Sequence, residues 1–510
     1  MSEVERLKQE VNELRAALEN SESERKRLHI ENQSLRYRLD LVSRRVFGHS
    51  SEKLNKDQLE FLFANFKDEL GAGRPEDLDN DQPTQRPKRR PARTQKPESL
   101  EKLEVIEETL VPEEVEAMPE AWRRIGEETV DQLDYIPAKF VILRTIRPKY
   151  VPVDKALDTP PIQHPAPPRL IERGFAAPGL LAHLLISKYG DHLPCHRLET
   201  IFKERHGVPL SRQQIGQWIG RCADEFGLVV EALRSQIKKA DYLQVDETPI
   251  TFLDRDRPRG SAKGYLWTYL IPRELVVYDW KTSRGANALT RVLGSEYQGA
   301  IQCDGYQAYD VYGKENPKAC LIGCFAHARR KFENAKEQDP EKTGEVLALI
   351  AKLYAIEKEM REAETPPTER HALRLERSLP VVHELKSRLE VFQQALRPST
   401  AVGQAVNYAL GQWPKLERVF ERGEAELDTN LVENAIRPTA VGKKNWLFIG
   451  HRNAGQRAAN LYSLIQTCRL QGVEPMAYLK ALIEELPHAT NQTVHTLTPM
   501  AWKARQAANS

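Results

Sequence analysis

Cysteine is scarce in this sequence, with six residues among 510, and Cys195, Cys222, Cys303, Cys320, Cys324 and Cys468 follow no repeating interval. That excludes a disulfide framework and fits a reducing compartment. No stretch is apolar for long enough to span a bilayer, and Met1-Ser2-Glu3-Val4-Glu5-Arg6 lacks the apolar run of a signal peptide. A cytoplasmic location without membrane contact is therefore expected. An excess of one charge is missing too. The 75 lysines and arginines nearly balance 73 aspartates and glutamates, so a nucleic-acid surface would have to come from local clustering.

The length and the changes of texture along the chain predict a multidomain α+β protein. Residues 1–46 carry Val4, Leu7, Val11, Leu14 and Leu18, then Leu28, Leu35, Leu39, Val42 and Val46, a three-and-four spacing that predicts a coiled coil and a homo-oligomer. Ser21, Arg25 and Asn32 interrupt the seam at core positions, and a buried Asn restricts register. Residues 47–98 predict a short helix capped by Ser50 or Ser51, then a basic linker with Arg86, Lys88, Arg89, Arg90, Arg93 and Lys96. Such a strip cannot bury a core, and is expected to be disordered when free. It serves either as a phosphate-tracking arm or as a solvated linker. Residues 99–168 predict a small β-rich module, with Val141-Ile142-Leu143 and Lys149-Tyr150-Val151 as strand-like runs.

A helix-turn-helix-like domain is expected over 169–237. Gly207 marks a turn, Ser211 caps a third helix, and Ile215, Trp218 and Ile219 share one face of it. Arg212, Gln213, Gln214 and Gln217 then point outward, carrying the amide and guanidinium groups that read base edges. Small helical bundles without DNA share this pattern.

From Asp241 the texture turns to strands. Tyr242–Asp246, Tyr265–Ile271, Leu275–Trp280 and Ala300–Asp304 read as four strands, with a helix from Ala286 before the last. Acids on the first and fourth strands, in that order of elements, predict a ribonuclease-H-like α/β core in which Asp246 and Asp304 converge. The core spans 238–337 and resumes at 423–450. A helical insertion (338–422) interrupts it, with Leu347, Ile350, Leu353, Tyr354 and Ile356 on one helix and Leu385, Leu389 and Phe392 on another. A C-terminal helical segment (451–510) ends the chain. Paired carboxylates suit phosphodiester chemistry, because two divalent ions ~3.5–4 Å apart can serve both the attacking and the leaving oxygen. Glu433 is the candidate third acid, on a helix capped by Asp428 or Asn430, with Arg437 one turn on and Lys443-Lys444-Asn445-Trp446 beyond. An ordinary capped helix with an ion pair has the same spacing.

At these residues the chain resembles the bacterial insertion-sequence transposases of the IS66 type. Phe47-Gly48-His49-Ser50-Ser51-Glu52-Lys53-Leu54, Lys188-Tyr189 with His192-Leu193-Pro194, Asp246-Glu247-Thr248-Pro249 and Asp304-Gly305-Tyr306 carry the likeness. So do Cys324-Phe325-Ala326-His327-Ala328-Arg329-Arg330-Lys331-Phe332, Arg437-Pro438, and Lys444-Asn445-Trp446-Leu447-Phe448. The resemblance implies a DNA transposase with an Asp-Asp-Glu triad of Asp246, Asp304 and Glu433. That triad would hold two Mg²⁺ ions, with Mn²⁺ as a substitute. It implies Cys324 and His327 near the active site, and Arg329, Arg330, Lys331, Arg437, Lys443 and Lys444 against double-stranded DNA. It also implies two small accessory proteins encoded beside the gene.

Two departures stand out. The family's four-cysteine zinc module has no cysteine here around 118–126 and 149–154, so no structural zinc is expected there. Cys320, Cys324 and His327 are expected to be core thiols and a polar contact, not zinc ligands. Asn434 stands where family members often carry Arg. A catalytically silent coiled-coil DNA-binding protein is the alternative, which retention of all three acids disfavours.

Overall fold

The computed structural model describes residues 139–150, 162–172 and 174–509. The expected coiled coil, the basic linker with Arg86, Lys88, Arg89 and Arg90, and most of the β module lie outside these residues. From Phe140 to the end, the described chain belongs to one compact unit.

The strand-like reading of Val141-Ile142-Leu143 is corrected. These residues form no strand, and their side chains are 65 %, 89 % and 73 % exposed. β-branched composition favours a strand only where a partner supplies hydrogen bonds and a face to pack against. The neighbouring strands that do form are two residues each: β1 (Lys149–Tyr150) pairs antiparallel with β2 (Ile162–Gln163).

Four helices follow: α1 (Pro178–Tyr189), α2 (Cys195–His206), α3 (Arg212–Glu225) and α4 (Gly227–Ile237). Gly207 ends α2 at φ 67°, a left-handed conformation that costs glycine little. Ser211 accepts the Gln214 amide at 3.2 Å and starts α3. Ile215, Trp218 and Ile219 are buried as their spacing predicts. These helices share a single hydrophobic core with the sheet that follows, extending from Ile171 to Leu497.

The sheet consists of β3 (Tyr242–Leu253), β4 (Ser261–Ile271), β5 (Leu275–Lys281), β6 (Ala300–Gln302) and β7 (Cys320–Ile322), in the order β5-β4-β3-β6-β7. The first three run as an antiparallel meander. Helix α5 (Asn287–Leu293) then carries the chain across to β6, which lies parallel to β3 with Tyr242 opposite Ala300 and Gln244 opposite Gln302. Helix α6 (Gln307–Glu315) makes the second crossover, to β7, parallel to β6. The first and fourth strands of this sheet, β3 and β6, are thus neighbours.

β5 is an edge strand, and edge amides need partners. Here helix α13 (Ala454–Leu470) supplies them. Thr467 Oγ1 accepts the Val276 amide at 3.2 Å, Ser463 Oγ the Tyr278 amide at 2.9 Å, and Gln456 Oε1 the Trp280 amide at 3.3 Å. Spacings of four and seven put these three side chains on one helical face. Trp280 lies between Gly264 and Gly455, where an added Cβ would come within 2.2 Å of the indole.

A second core holds α7 (Phe325–Ala335), α8 (Pro340–Glu362), α10 (Leu379–Ala395) and α11 (Ala401–Glu417). Leu385, Leu389 and Phe392 are buried as expected. Between α9 (Pro367–Leu373) and α10, residues Arg374–Ser378 form a π-helical turn. Pro380 has no amide to donate to the Glu376 carbonyl, and the widened turn accommodates it. Helices α12 (Asn430–Trp446), α14 (Pro475–Glu485) and α15 (Pro499–Asn509) complete the fold. Among the described residues no helix is long and apolar enough to cross a membrane.

Candidate active site

Asp246 sits midway along β3, half-buried, with its Oδ1 accepting the Glu247 amide at 2.8 Å. Asp304 lies just past the end of β6, and its Oδ1 accepts the Tyr306 amide at 2.9 Å. That local hydrogen bond fixes the Asp304-Gly305-Tyr306 turn. A Cβ at Gly305 would meet the Tyr408 hydroxyl at 2.8 Å, so a larger residue there would have to displace Tyr408. Because β6 runs parallel to β3 with Gln302 opposite Gln244, Asp304 and Asp246, each two residues further on, come side by side on adjacent strands.

Glu433 arrives from far along the chain, and polar side chains buried in the sheet hold it in place. Gln244 Nε2 donates to the Asp428 carbonyl at 2.8 Å while its Oε1 accepts the Val432 amide at 3.2 Å. Gln302 Nε2 donates to the carbonyls of Glu426 (2.7 Å) and Gly323 (3.0 Å). Asp428 accepts the Asn430 amide at 3.0 Å at the start of α12, and Tyr354 donates to the same carboxylate at 2.8 Å. Neither expected residue is the N-cap: that position is Thr429, which makes no side-chain cap bond, and Asp428 just before it accepts the first helical amide instead. Glu433 lies in the first turn of α12, where the helix dipole favours a negative charge.

The insertion grips the approach to that helix. Arg374, fully buried, donates to Glu357 (2.7 and 2.9 Å) and to the carbonyls of Val419, Arg422 and Ala425. Arg370 bridges Glu357 and Glu426 at 2.7 and 3.1 Å. Glu426 also pairs with Arg361 and with Arg273 of the β4–β5 turn.

Burial raises the Asp246 carboxyl from its ordinary value near 3.8 to about 7, with the charges of Glu247, Asp304 and Glu433 adding to the effect and the Glu247 amide opposing it. Three acids from three separated elements are therefore felt at one carboxylate. Among the described residues, no three His, Cys, Asp or Glu side chains form a ready-made metal cage. Mg²⁺ needs none: it takes one or two carboxylates and keeps waters or substrate oxygens for the rest. Carboxylate oxygens are the donors that suit a hard divalent ion.

The raised value has a measurable consequence. Keeping Asp246 protonated favours the fold, so its contribution is complete below about pH 4 and is lost as pH rises through about 7. Metal-free protein should lose melting temperature across that window more steeply than the Asp246→Asn variant, and Mg²⁺ should reduce the difference. Parallel pH profiles for the two proteins would contradict this account.

Around the acids, His327 Nε2 is 4.0 Å from Glu433 Oε1 and Arg330 Nη2 is 3.9 Å from Oε2. Both lie on one face of α7, three residues apart. Arg329 pairs with Glu333 and faces the Tyr354 ring, and Lys331 faces that of Tyr408. Cys324 is a buried thiol raised to about 11, above all by burial, and it accepts hydrogen bonds from the Thr429 amide and hydroxyl at 3.3 Å. Cys320 begins β7. Arg437 and Lys444 are exposed on α12, whereas Lys443 bends back to Thr248 Oγ1 (3.4 Å) and the Pro249 carbonyl (3.1 Å). On α3, Arg212, Gln213 and Gln217 are exposed and Gln214 is half-buried.

Sequence reasoning missed several contributors. Glu247 is fully buried, paired with Arg284 at 2.6 Å and bonded by the Tyr309 hydroxyl at 2.8 Å, and burial raises its carboxyl despite both partners. Arg284 in turn stacks 3.7 Å from the centre of the Tyr306 ring. The signal was present: Gln244, Glu247 and Gln302 are polar residues inside apolar strand runs.

Residues 173–457 match the family described as Transposase IS66 family, residues 463–500 the IS66 C-terminal element, and residues 34–105 the element described as Transposase C of IS166 homeodomain. Two uncharacterized proteins of Sinorhizobium fredii (strain NBRC 101917 / NGR234) are similar. One, y4jD, is 33% identical over 406 residues, 76% of this chain and 78% of its own length. The other, y4qI, is 31% identical over 469 residues, 88% of this chain and 85% of its own length. With more than half of the chain matched to one family along its length, the protein belongs to the IS66 family of transposases.

Proposed function

We propose that this transposase cuts and joins DNA at insertion-sequence ends by metal-dependent phosphodiester hydrolysis and strand transfer, with Asp246, Asp304 and Glu433 as its catalytic carboxylates. One observation carries the reading: β6 lies parallel to β3 with Gln302 opposite Gln244, two residues before Asp304 and Asp246, and the same Gln244 holds the Asp428 carbonyl and the Val432 amide beside Glu433. The strand order β5-β4-β3-β6-β7, with β6 parallel to β3, supports a ribonuclease-H-like core.

Two divalent ions held by these carboxylates would supply Lewis-acid stabilisation to the attacking and leaving oxygens of an in-line displacement. The chain's own groups do the rest. Arg330 and His327 flank Glu433 and can hold a phosphate against the acids. The N-terminal half of α3, with Arg212, Gln213 and Gln217 exposed and Gln214 half-buried, suits base reading in a major groove. Arg329, Lys331, Arg437, Lys443 and Lys444, with the basic arm Arg86, Lys88, Arg89 and Arg90, suit phosphate contacts. The seam in residues 1–46 is the proposed means of bringing two copies, and hence two DNA ends, together.

The test is an end-cleavage assay with the full chain and a duplex carrying the terminal sequence of the element. Cleavage leaving a free 3′-hydroxyl should occur with Mg²⁺ or Mn²⁺ and stop with a chelator. Undiminished cleavage in the chelator would refute the metal-dependent reading.

A further inference from the structure

At the far end of α12 the backbone takes a strained path. Leu447 has φ 66° and ψ −45°, and the Phe448 amide bonds the Trp446 carbonyl at 2.8 Å, closing a γ-turn. This turn is rare and strained, and a side chain with a Cβ makes it more so. Both flanks are anchored. The Leu447 amide still bonds Lys443 in the helix, while Ile449 pairs with β3 through the Thr251 carbonyl and the Leu253 amide, each at 2.9 Å. Strain held between two rigid elements points to use, and what the turn presents is apolar: Leu447 is 68 % and Phe448 42 % exposed.

The setting of this apolar tip is cationic. Lys443 and Lys444 precede it, Arg452 follows it, and the adjoining β3–β4 loop carries Arg255, Arg257 and Arg259. The facing acids are Asp254, which Arg257 and Arg452 approach at 3.7 and 4.0 Å, and Asp256. A rigid apolar tip with cations in its flanking segments matches a polyanion whose interior is a stack of apolar rings. Proteins that insert Leu or Phe between base pairs use this combination to unstack one step and kink the duplex. The tip also lies along the strand that carries Asp246. Phe252, bridged to Ile449, is six residues from that acid, or ~20 Å of strand, less than one turn of duplex.

We infer that the Leu447–Phe448 turn is a wedge that unstacks a base step of the bound DNA duplex beside the cleavage site. The inference rests on the DNA-cutting reading above, and it assigns this turn the task of distorting the end so that the scissile phosphate can reach the acids. A strained turn serves this purpose because it cannot fold away when the stack pushes back.

The experiment uses full-length protein carrying Asp304→Asn, so that DNA is bound but not cut, and terminal duplexes with 2-aminopurine placed at successive positions. Binding should raise the fluorescence at one step, and Leu447→Ser with Phe448→Ser should abolish that rise. A duplex mismatched at the same step has less stacking to lose, so it should bind roughly tenfold tighter than the intact one. The double variant should lose that preference. Leu447→Gly, which relieves the backbone strain, should raise the melting temperature and weaken the fluorescence response. An unchanged rise in the double variant, or DNA bound with no unstacked step, would overturn the wedge and leave the catalytic assignment standing. Failure of the parent protein to bind the duplex at all would overturn both.

Discussion

Replacing Asp304 by Asn should lower cleavage of transposon-end DNA by roughly a thousandfold or more, because a carboxylate that holds a catalytic ion supports several kcal/mol of transition-state stabilisation. The substitution suits the purpose. An Asn oxygen can still accept the Tyr306 amide that shapes the turn, so the loop keeps its form and only the charge is lost. Binding of the uncut duplex should change little, since phosphate contacts are made by other side chains. Removing this charge should also let the Asp246 carboxyl fall from about 7, because Asp304 is one of the groups that raise it. Measured single-turnover cleavage beside equilibrium binding separates the two effects. Wild-type cleavage by the variant would remove Asp304 from the active site.

A large loss of stability is expected from Arg374→Met. The methionine fills much of the volume but leaves the carbonyls of Val419, Arg422 and Ala425 without their donor and removes a bidentate partner from Glu357. Breaking a buried charge pair from one side costs about 3–5 kcal/mol. The residues released are those that lead into α12, so the surviving folded protein should also cleave more slowly, although Arg374 is remote in sequence from every acid. Acid should mimic part of this effect. Burial would raise the Glu426 carboxyl, but Arg370, Arg361 and Arg273 hold it below its ordinary value. Its contribution is therefore present above the usual glutamate range and is lost as pH falls through the depressed value. Glu426→Gln should flatten the acid limb of the stability profile. Thermal or urea unfolding of Arg374→Met within ~1 kcal/mol of wild type would show that the clasp is dispensable.

Much of the site was visible in the chain itself. The apolar runs leading into Asp246 and Asp304 stand out because a strand-like segment declares its short periodicity alone, although β3 continues beyond Asp246 to Leu253. The cap at Ser211 and the left-handed Gly207 were legible for the same reason: the controlling interaction spans three or four residues. A helix with Glu433 one turn in was legible too, but not its destination. That depends on Gln244 and Gln302, whose partners lie as far away as Asp428 and Glu426.

Local pattern failed wherever the deciding partner was remote. Val141-Ile142-Leu143 has strand composition and no strand beside it. Glu357, Arg370 and Arg374 have the look of charges on solvated helix faces, yet they are buried against one another. The Lys443–Phe448 segment showed its basic and aromatic character but not its strain, which arises because α12 and β3 fix both ends of the Leu447 turn. The sequence by itself determined most of the helices and strands among the described residues, the Ser211 cap included, since each depends on neighbours within a turn or a strand. Only the tertiary structure decided where Glu433 comes to rest, which charges lose their water, and where the backbone is held under strain, because each is set by contacts between segments far apart in the chain.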